Sequence, residues 1–205
     1  GGVVDINAGD DGINATSHTE AGGTEQVEDG VILTISGGTV TLFAGADGID
    51  SNGTATITGG TVAISTKSGG GGGGEGALDV NGAVTVPAGI SFDASKIKAD
   101  ELVEVADSDK QVQAEFVLTR TATTLLVLSP QLTATESFTV TARTQDDTSS
   151  AGKGRTITTA KAAEGSEFAT RMGGGRPGGT GGTRPEGGQP PEMGQGPGQG
   201  QCQEQ

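Results

Sequence analysis

Between Gly1 and Ala94, short alternations of apolar and polar residues recur, each bounded by glycine. Thr39-Val40-Thr41-Leu42 and Thr54-Ala55-Thr56-Ile57 alternate with period two. That is the strand signature, because successive strand side chains point to opposite faces. Gly-Gly and Asp-Gly pairs read as turns between them. No helical period of 3.6 occurs before residue 95. The alternations also repeat. Gly1-Gly2-Val3-Val4-Asp5-Ile6 matches Gly37-Gly38-Thr39-Val40-Thr41-Leu42 at an offset of 36. Thr34-Ile35-Ser36-Gly37-Gly38 matches Thr56-Ile57-Thr58-Gly59-Gly60 at 22, and Ile49-Asp50-Ser51-Asn52-Gly53 matches Leu78-Asp79-Val80-Asn81-Gly82 at 29. One 22-residue unit explains all three offsets. A 14-residue loop at about residues 16–29 and seven more residues around the run Gly69 to Gly74 make up the excesses. Short strands of one period, stacked on themselves, predict an all-β fold. The expected form is a right-handed parallel β-helix, a solenoid with coils ~4.8 Å apart. Ile13, Ile49 and Leu78 are expected to stack inward in one column.

After Ala94 the pattern changes. Strands are expected over 114–118, 124–128 and 136–142, with Ser129-Pro130-Gln131 as a turn. Residues 96–145 therefore read as a small antiparallel annex that caps the open end of the coils over 1–95, since unpaired strand edges invite aggregation. Residues 146–205 read as linker and tail. From Arg171 to Gln205 there are 13 Gly and 5 Pro and almost nothing apolar. Such a segment cannot bury enough surface to offset its ordering entropy, so disorder is expected there.

Composition agrees with a narrow core. The chain has five Phe and no Trp or Tyr, which suits stacked Val, Ile, Leu and Ala. Net charge is −14, and it is unevenly spread. Residues 1–95 hold 12 Asp/Glu and a single base, Lys67, whereas residues 96–205 hold 14 acids and 11 bases. The acidic half argues against nucleic acid, whose binding depends on Lys and Arg neutralising phosphates. It points to bound cations or a neutral ligand. Cys202 is the only cysteine, so no disulfide framework forms within one chain. No segment approaches the ~20 apolar residues of a membrane span. The chain opens mid-repeat, so its natural N-terminus is expected to lie upstream.

The repeat also stacks chemistry. Asp11 aligns with Asp47, Asn14 with Asp50 and Asp79, and Asn52 with Asn81, with Asp10 beside Asp11. Like charges one coil apart repel by roughly 1 kcal/mol in water and several times more where partly buried. Ca²⁺ would offset this, since it takes six to eight oxygens from carboxylates, amides and carbonyls. The candidate metal ligands are Asp10, Asp11, Asp47, Asp50 and Asp79. Asp and Asn are also ordinary turn residues, and stacked Asn side chains form purely structural ladders, the reading favoured for Asn52 and Asn81. Asp-rich nonapeptide β-rolls do not fit, because the motif never recurs at nine.

Asp10-Asp11-Gly12-Ile13-Asn14-Ala15, Gly45-Ala46-Asp47-Gly48-Ile49-Asp50-Ser51-Asn52-Gly53 and Ala77-Leu78-Asp79-Val80-Asn81-Gly82, with Ser129-Pro130-Gln131-Leu132 and Ser137-Phe138-Thr139-Val140, resemble the bacterial secreted carbohydrate-binding domain-containing β-helix proteins. The resemblance covers residues 1 to about 142. It implies a pectate-lyase-like fold, bound Ca²⁺ at the acidic turns, a location outside the cell, and binding of plant cell-wall polysaccharide, cellulosic or acidic.

Three functions compete. Non-catalytic, Ca²⁺-assisted polysaccharide binding is the first. A structural or adhesive surface protein without a sugar ligand is the second, and a pectin-degrading enzyme the third. A lyase of this fold needs an Arg or Lys base, and residues 1–95 offer only Lys67. Asp10 and Asp11 superficially suit a hydrolase's acid–base pair, but the one histidine, His18, sits in an inserted loop and reads as an exposed bystander. The expectation is a protein that is not an enzyme. Without Trp or Tyr platforms, a sugar would be held by polar side chains or through Ca²⁺.

Overall fold

The pairs Gly37-Gly38 and Gly59-Gly60 lie inside strands rather than between them. The computed structural model describes residues 1–17, 27–67, 76–145 and 154–172. In chain order these form β1 (Val3–Asn7), β2 (Ile13–Ala15), β3 (Ile32–Ala44), β4 (Ile49–Ser51), β5 (Thr54–Thr66), β6 (Leu78–Val80), β7 (Val84–Thr85) and β8 (Gly89–Asp93). There follow β9 (Glu101–Ala106), β10 (Val112–Leu118), β11 (Thr124–Leu128), β12 (Ser137–Thr144), β13 (Arg155–Lys161) and one helix, α1 (Gly165–Met172). His18, the run from Gly69 to Gly74, and the expected disordered stretch beyond residue 172 with Cys202 lie outside the described residues.

The long strands β3 and β5 turn a corner at their glycines. Gly38 and Gly60 take φ of 90° and 84°, a left-handed conformation that only glycine enters at little cost. A Cβ on Gly60 would also meet the Gly38 carbonyl oxygen of the neighbouring strand. The β3–β5 register shifts between Ile35 and Thr39, so the corner is a bulge shared by both strands.

The strands form three sheets. The central one is ordered β1-β3-β5-β11-β8, with β7 also on β5. A second, ordered β2-β4-β6, is wholly parallel. From β1 to β7 the chain alternates between these two sheets, and β1, β3, β5 and β7 pair in parallel. The predicted offsets appear as backbone register. Val3 lies opposite Thr39, Val40 opposite Val62, and Ile49 opposite Leu78. Ile13, Ile49 and Leu78 form the expected column. Ile49 and Leu78 are buried; Ile13, on the edge strand, is half-buried.

The third sheet is antiparallel, ordered β10-β9-β12-β13. It covers a face of the central sheet. Phe43, Ala63, Ile90, Phe92, Leu125 and Val127 from the central sheet form one buried cluster with Val103, Val105, Phe116, Phe138 and Val140 from the third. The alternate residues Leu42, Val62, Ile64, Leu126 and Leu128 face the other way and join Ile49 and Leu78 in a second cluster. Burial on both faces explains the unbroken apolar runs Leu42-Phe43-Ala44 and Val62-Ala63-Ile64. Arg155 clamps Glu101 from β13, with its Nη2 2.6 Å from Oε2, and the guanidinium holds the Glu101 carboxyl below the ordinary range.

Two expectations are corrected. The residues after 95 do not simply cap an end. β11 pairs antiparallel with both β5 and β8, continuing the central sheet, while β9, β10 and β12 cover its face. The segment read as linker from 146 contains β13, paired with β12, and α1, whose Phe168 is buried in the second cluster. β13 leaves little trace in the sequence, because Arg155-Thr156-Ile157-Thr158-Thr159-Ala160-Lys161 carries one large apolar residue. It is an edge strand with little apolar surface to bury.

Candidate functional site

Asp10 and Asp11 precede β2 and Asp47 precedes β4, while Asp50 lies within β4 and Asp79 within β6. The period-two pleat sends Ile13, Ile49 and Leu78 inward and their successors outward. Asn14, Asp50 and Asp79 therefore fall in register on the outer face. Gly48 lets neighbouring segments approach: a Cβ there would meet the Ile64 side chain and the Ala77 carbonyl oxygen.

Asp11 and Asp47 play one role twice. The Asp47 N–H donates to Asp11 Oδ1 at 3.1 Å, and the Gly76 N–H donates to Asp47 Oδ1. Each carboxylate thus accepts from the backbone of the equivalent residue in the next repeat. The Asn14 amide nitrogen donates to Asp50 Oδ2 at 2.8 Å and to Asp11 Oδ2 at 3.1 Å. Asp10 is exposed, and its contribution to the turn is its carbonyl, which accepts the Gly45 N–H at 2.9 Å.

Asp50 is the focus of the charge. Its pKa is pushed up from 3.8 to about 6, first by desolvation and then by the negative charges of Asp11, Asp79 and Asp47. Desolvation and like charge both disfavour the ionised form.

Beside it runs an amide ladder. The Asn81 amide donates to Asn52 Oδ1 at 3.5 Å, and the Asn52 amide to Thr16 Oγ1 at 2.8 Å. Asn52 also donates to Glu28 Oε1 at 3.0 Å, while Glu28 Oε2 accepts the Ser17 N–H at 2.6 Å. Glu28 is buried and was missed in the sequence. It belongs to the inserted loop, so no repeat partner marks it. A third column, on the central sheet before the Gly-Gly corner, is made of hydroxyls: Thr34, Thr56 and Thr85 lie in register. Thr34 and Thr85 are exposed and Thr56 half-buried.

The acidic turn's donors are hard oxygens of the kind Ca²⁺ takes. The geometry gives no complete cage: among the described residues no three acidic, His or Cys side chains converge on one point. Asp11 and Asp47 are engaged by backbone N–H groups. Asp50 accepts the Asn14 amide and lies opposite Asp79 in the register of β4 and β6.

Among the described residues, no helix is long and apolar enough to cross a membrane. Comparison with family models, with curated proteins and with solved structures found no match.

Proposed function

We propose that this chain is a non-catalytic polysaccharide-binding protein that works outside the cell. On this reading the alternation between the two parallel sheets traces coils of a right-handed parallel β-helix, in keeping with the resemblance to the carbohydrate-binding domain-containing proteins. The observation that carries the function is the set of in-register polar columns: Asn14/Asp50/Asp79, Thr16/Asn52/Asn81 and Thr34/Thr56/Thr85. Each presents hydrogen-bonding groups at the ~4.8 Å strand spacing, a regular array for a regular polymer. Stacking on aromatic rings is not needed. An acidic polymer would be repelled by Asp50 and Asp79 unless a Ca²⁺ ion lay between, its shell completed by the polymer's own carboxylates.

Affinity electrophoresis against polygalacturonate and soluble cellulose derivatives, in Ca²⁺ and in EDTA, tests this. Retardation by polygalacturonate in Ca²⁺ that EDTA abolishes is the expected result. Absence of retardation by every polymer in both conditions overturns the reading.

One observation favours a second reading, a structural or adhesive protein without a sugar ligand. The Asp11–Asp47–Gly76 chain of hydrogen bonds ties coil to coil, which is a purely structural use of the acids. That reading expects neither retardation nor any change in melting temperature between Ca²⁺ and EDTA.

A further inference from the structure

The acidic half of the chain carries one base, Lys67, and it does not face solvent alone. It lines a cleft of about 380 Å³ with Arg120. The cleft opens where β1, β3 and β5 end side by side, so Asn7, Phe43 and Ser65 lie in register across its floor. Its wall is the loop between β10 and β11. That loop is held at both ends: the Thr119 hydroxyl donates to the Asp5 carboxylate at 3.0 Å, and the Thr123 carbonyl accepts the Ala94 N–H at 2.8 Å. The Lys67 N–H donates to the Ala44 carbonyl at 2.9 Å, which places the start of its side chain. The wall and floor are thus fixed before any ligand arrives, which lowers the ordering cost of binding.

The lining specifies a ligand. Lys67 and Arg120 are both exposed and join no ion pair among the described residues. Phe43 and Ala122, nearly buried, form a small apolar floor. Around it stand the Asn7 amide and the hydroxyls of Ser65 and Thr123. Two cations beside an amide, hydroxyls and an apolar patch suit a compact polyhydroxylated unit with one negative group. The volume lies in the range of small-ligand sites, roughly 300–1,000 Å³.

We propose that this cleft is a saccharide site, separate from the acidic turn, that takes one anionic sugar unit directly through Lys67 and Arg120. The inference rests on the polysaccharide reading and deepens it, giving the acidic polymer a contact that needs no metal. Asp5 lines the depression next to the cleft, which also reaches Arg120 and Thr119. Its charge opposes an incoming anion.

The test is titration of metal-free full-length protein, followed by NMR, with trigalacturonate, a sulfated disaccharide and neutral cellotriose. An anionic probe should bind and cellotriose should not displace it. Of the two anionic probes, the tighter binder identifies carboxylate or sulfate as the native charge. Lys67→Gln and Arg120→Gln should each weaken binding about tenfold, the usual worth of one charge-assisted contact. Both residues are exposed, so their melting temperatures should match the wild type. Asp5→Asn should tighten binding while keeping an acceptor for Thr119, and added salt should weaken it. Asp50→Asn should leave it unchanged. Wild-type affinity in both cation variants, or no anionic binding without metal, overturns the cleft. Binding seen only with Ca²⁺ and lost in Asp50→Asn overturns the cleft but upholds the polysaccharide reading. Failure of every probe, with and without Ca²⁺, overturns both.

Discussion

Asp50 gathers the charge of its acidic neighbours Asp11, Asp79 and Asp47 onto one side chain. Its folded pKa of about 6 lies above its ordinary 3.8. The folded state therefore binds a proton more tightly than the unfolded chain between those values. Stability falls as pH rises through that window and is flat above it. A tenfold difference in proton affinity corresponds to about 1.4 kcal/mol, and solvent screening of a half-exposed group leaves roughly 1 kcal/mol of penalty at neutral pH. Metal-free wild type should thus melt higher at pH 5 than at pH 7.5, and Asp50→Asn should remove the difference by raising the melting temperature at pH 7.5. Thermal melts at the two pH values check this; an unchanged mutant would show that Asp50 is not the group responsible. Ca²⁺ enters as a separate arm. If it bridges Asp50 and Asp79, adding it at a hundredfold excess over its dissociation constant should stabilise wild type by about 2.7 kcal/mol and Asp50→Asn by much less. The columns that feed this site were legible in the sequence, because equal offsets put Asn14, Asp50 and Asp79 in line. Their partners were not. That Asp11 accepts the Asp47 N–H, and that Glu28 reaches Asn52, depends on side-chain reach between repeats and on an inserted loop with no repeat.

At the scale of elements, what the sequence showed were the pieces of β3 and β5, and what it hid was their continuity. Gly37-Gly38 and Gly59-Gly60 are turn signals by composition, yet the pairing partner runs straight past them. Two strands bending together keep their ladder on either side of the corner, so the glycines bend the strands without ending them. This makes Gly38 and Gly60, which take positive φ, more costly to replace than Gly37. At Gly60, alanine must adopt a left-handed φ and fit a Cβ against the neighbouring Gly38 carbonyl. The expected cost is about 2 kcal/mol or more, or a fall of roughly 4–8 °C in a domain of this size. Gly37 has no positive φ, and its Cβ would meet nothing within 4 Å. Gly37→Ala should therefore leave the melting temperature within about a degree of wild type, because surface changes of this kind stay within about ±0.5 kcal/mol. Differential scanning calorimetry of the two variants separates a corner that must be glycine from a pair that is merely flexible. Equal effects would mean that the corner is not built as described.

A segment that its sequence makes look like a linker contributes to both hydrophobic clusters of the described residues. Residues 155–172 touch both hydrophobic clusters. Ala162 lies in the first, with Ile157 and Ala160 packed against it, and Phe168 lies in the second, where Ala163 packs against its edge. Between them, Ala163 and Gly89 exchange backbone hydrogen bonds at 2.9 and 3.1 Å, so the segment is pinned to β8 as it passes from one cluster to the other. Nothing local predicts this. β13 is polar and α1 has eight residues, too short to form on its own propensity; both depend on contacts with residues far away in sequence. Long-range contacts of this kind also explain why residues 96–145 looked like a terminal cap. The pairing of β11 between β5 and β8 joins segments that no repeat relates. If the segment couples the clusters, loss of Phe168 should weaken both together. Phe168→Ala should cost about 3 kcal/mol, the lower end for a buried phenylalanine, and lower the melting temperature by roughly 6–12 °C. The transition should remain single, with amides of β9 and β12 in the first cluster's sheet losing hydrogen-exchange protection alongside those of β4 and β5. Protection lost only around β4 to β6, with β9 and β12 unchanged, would show instead that the two clusters unfold independently and that α1 serves one of them alone.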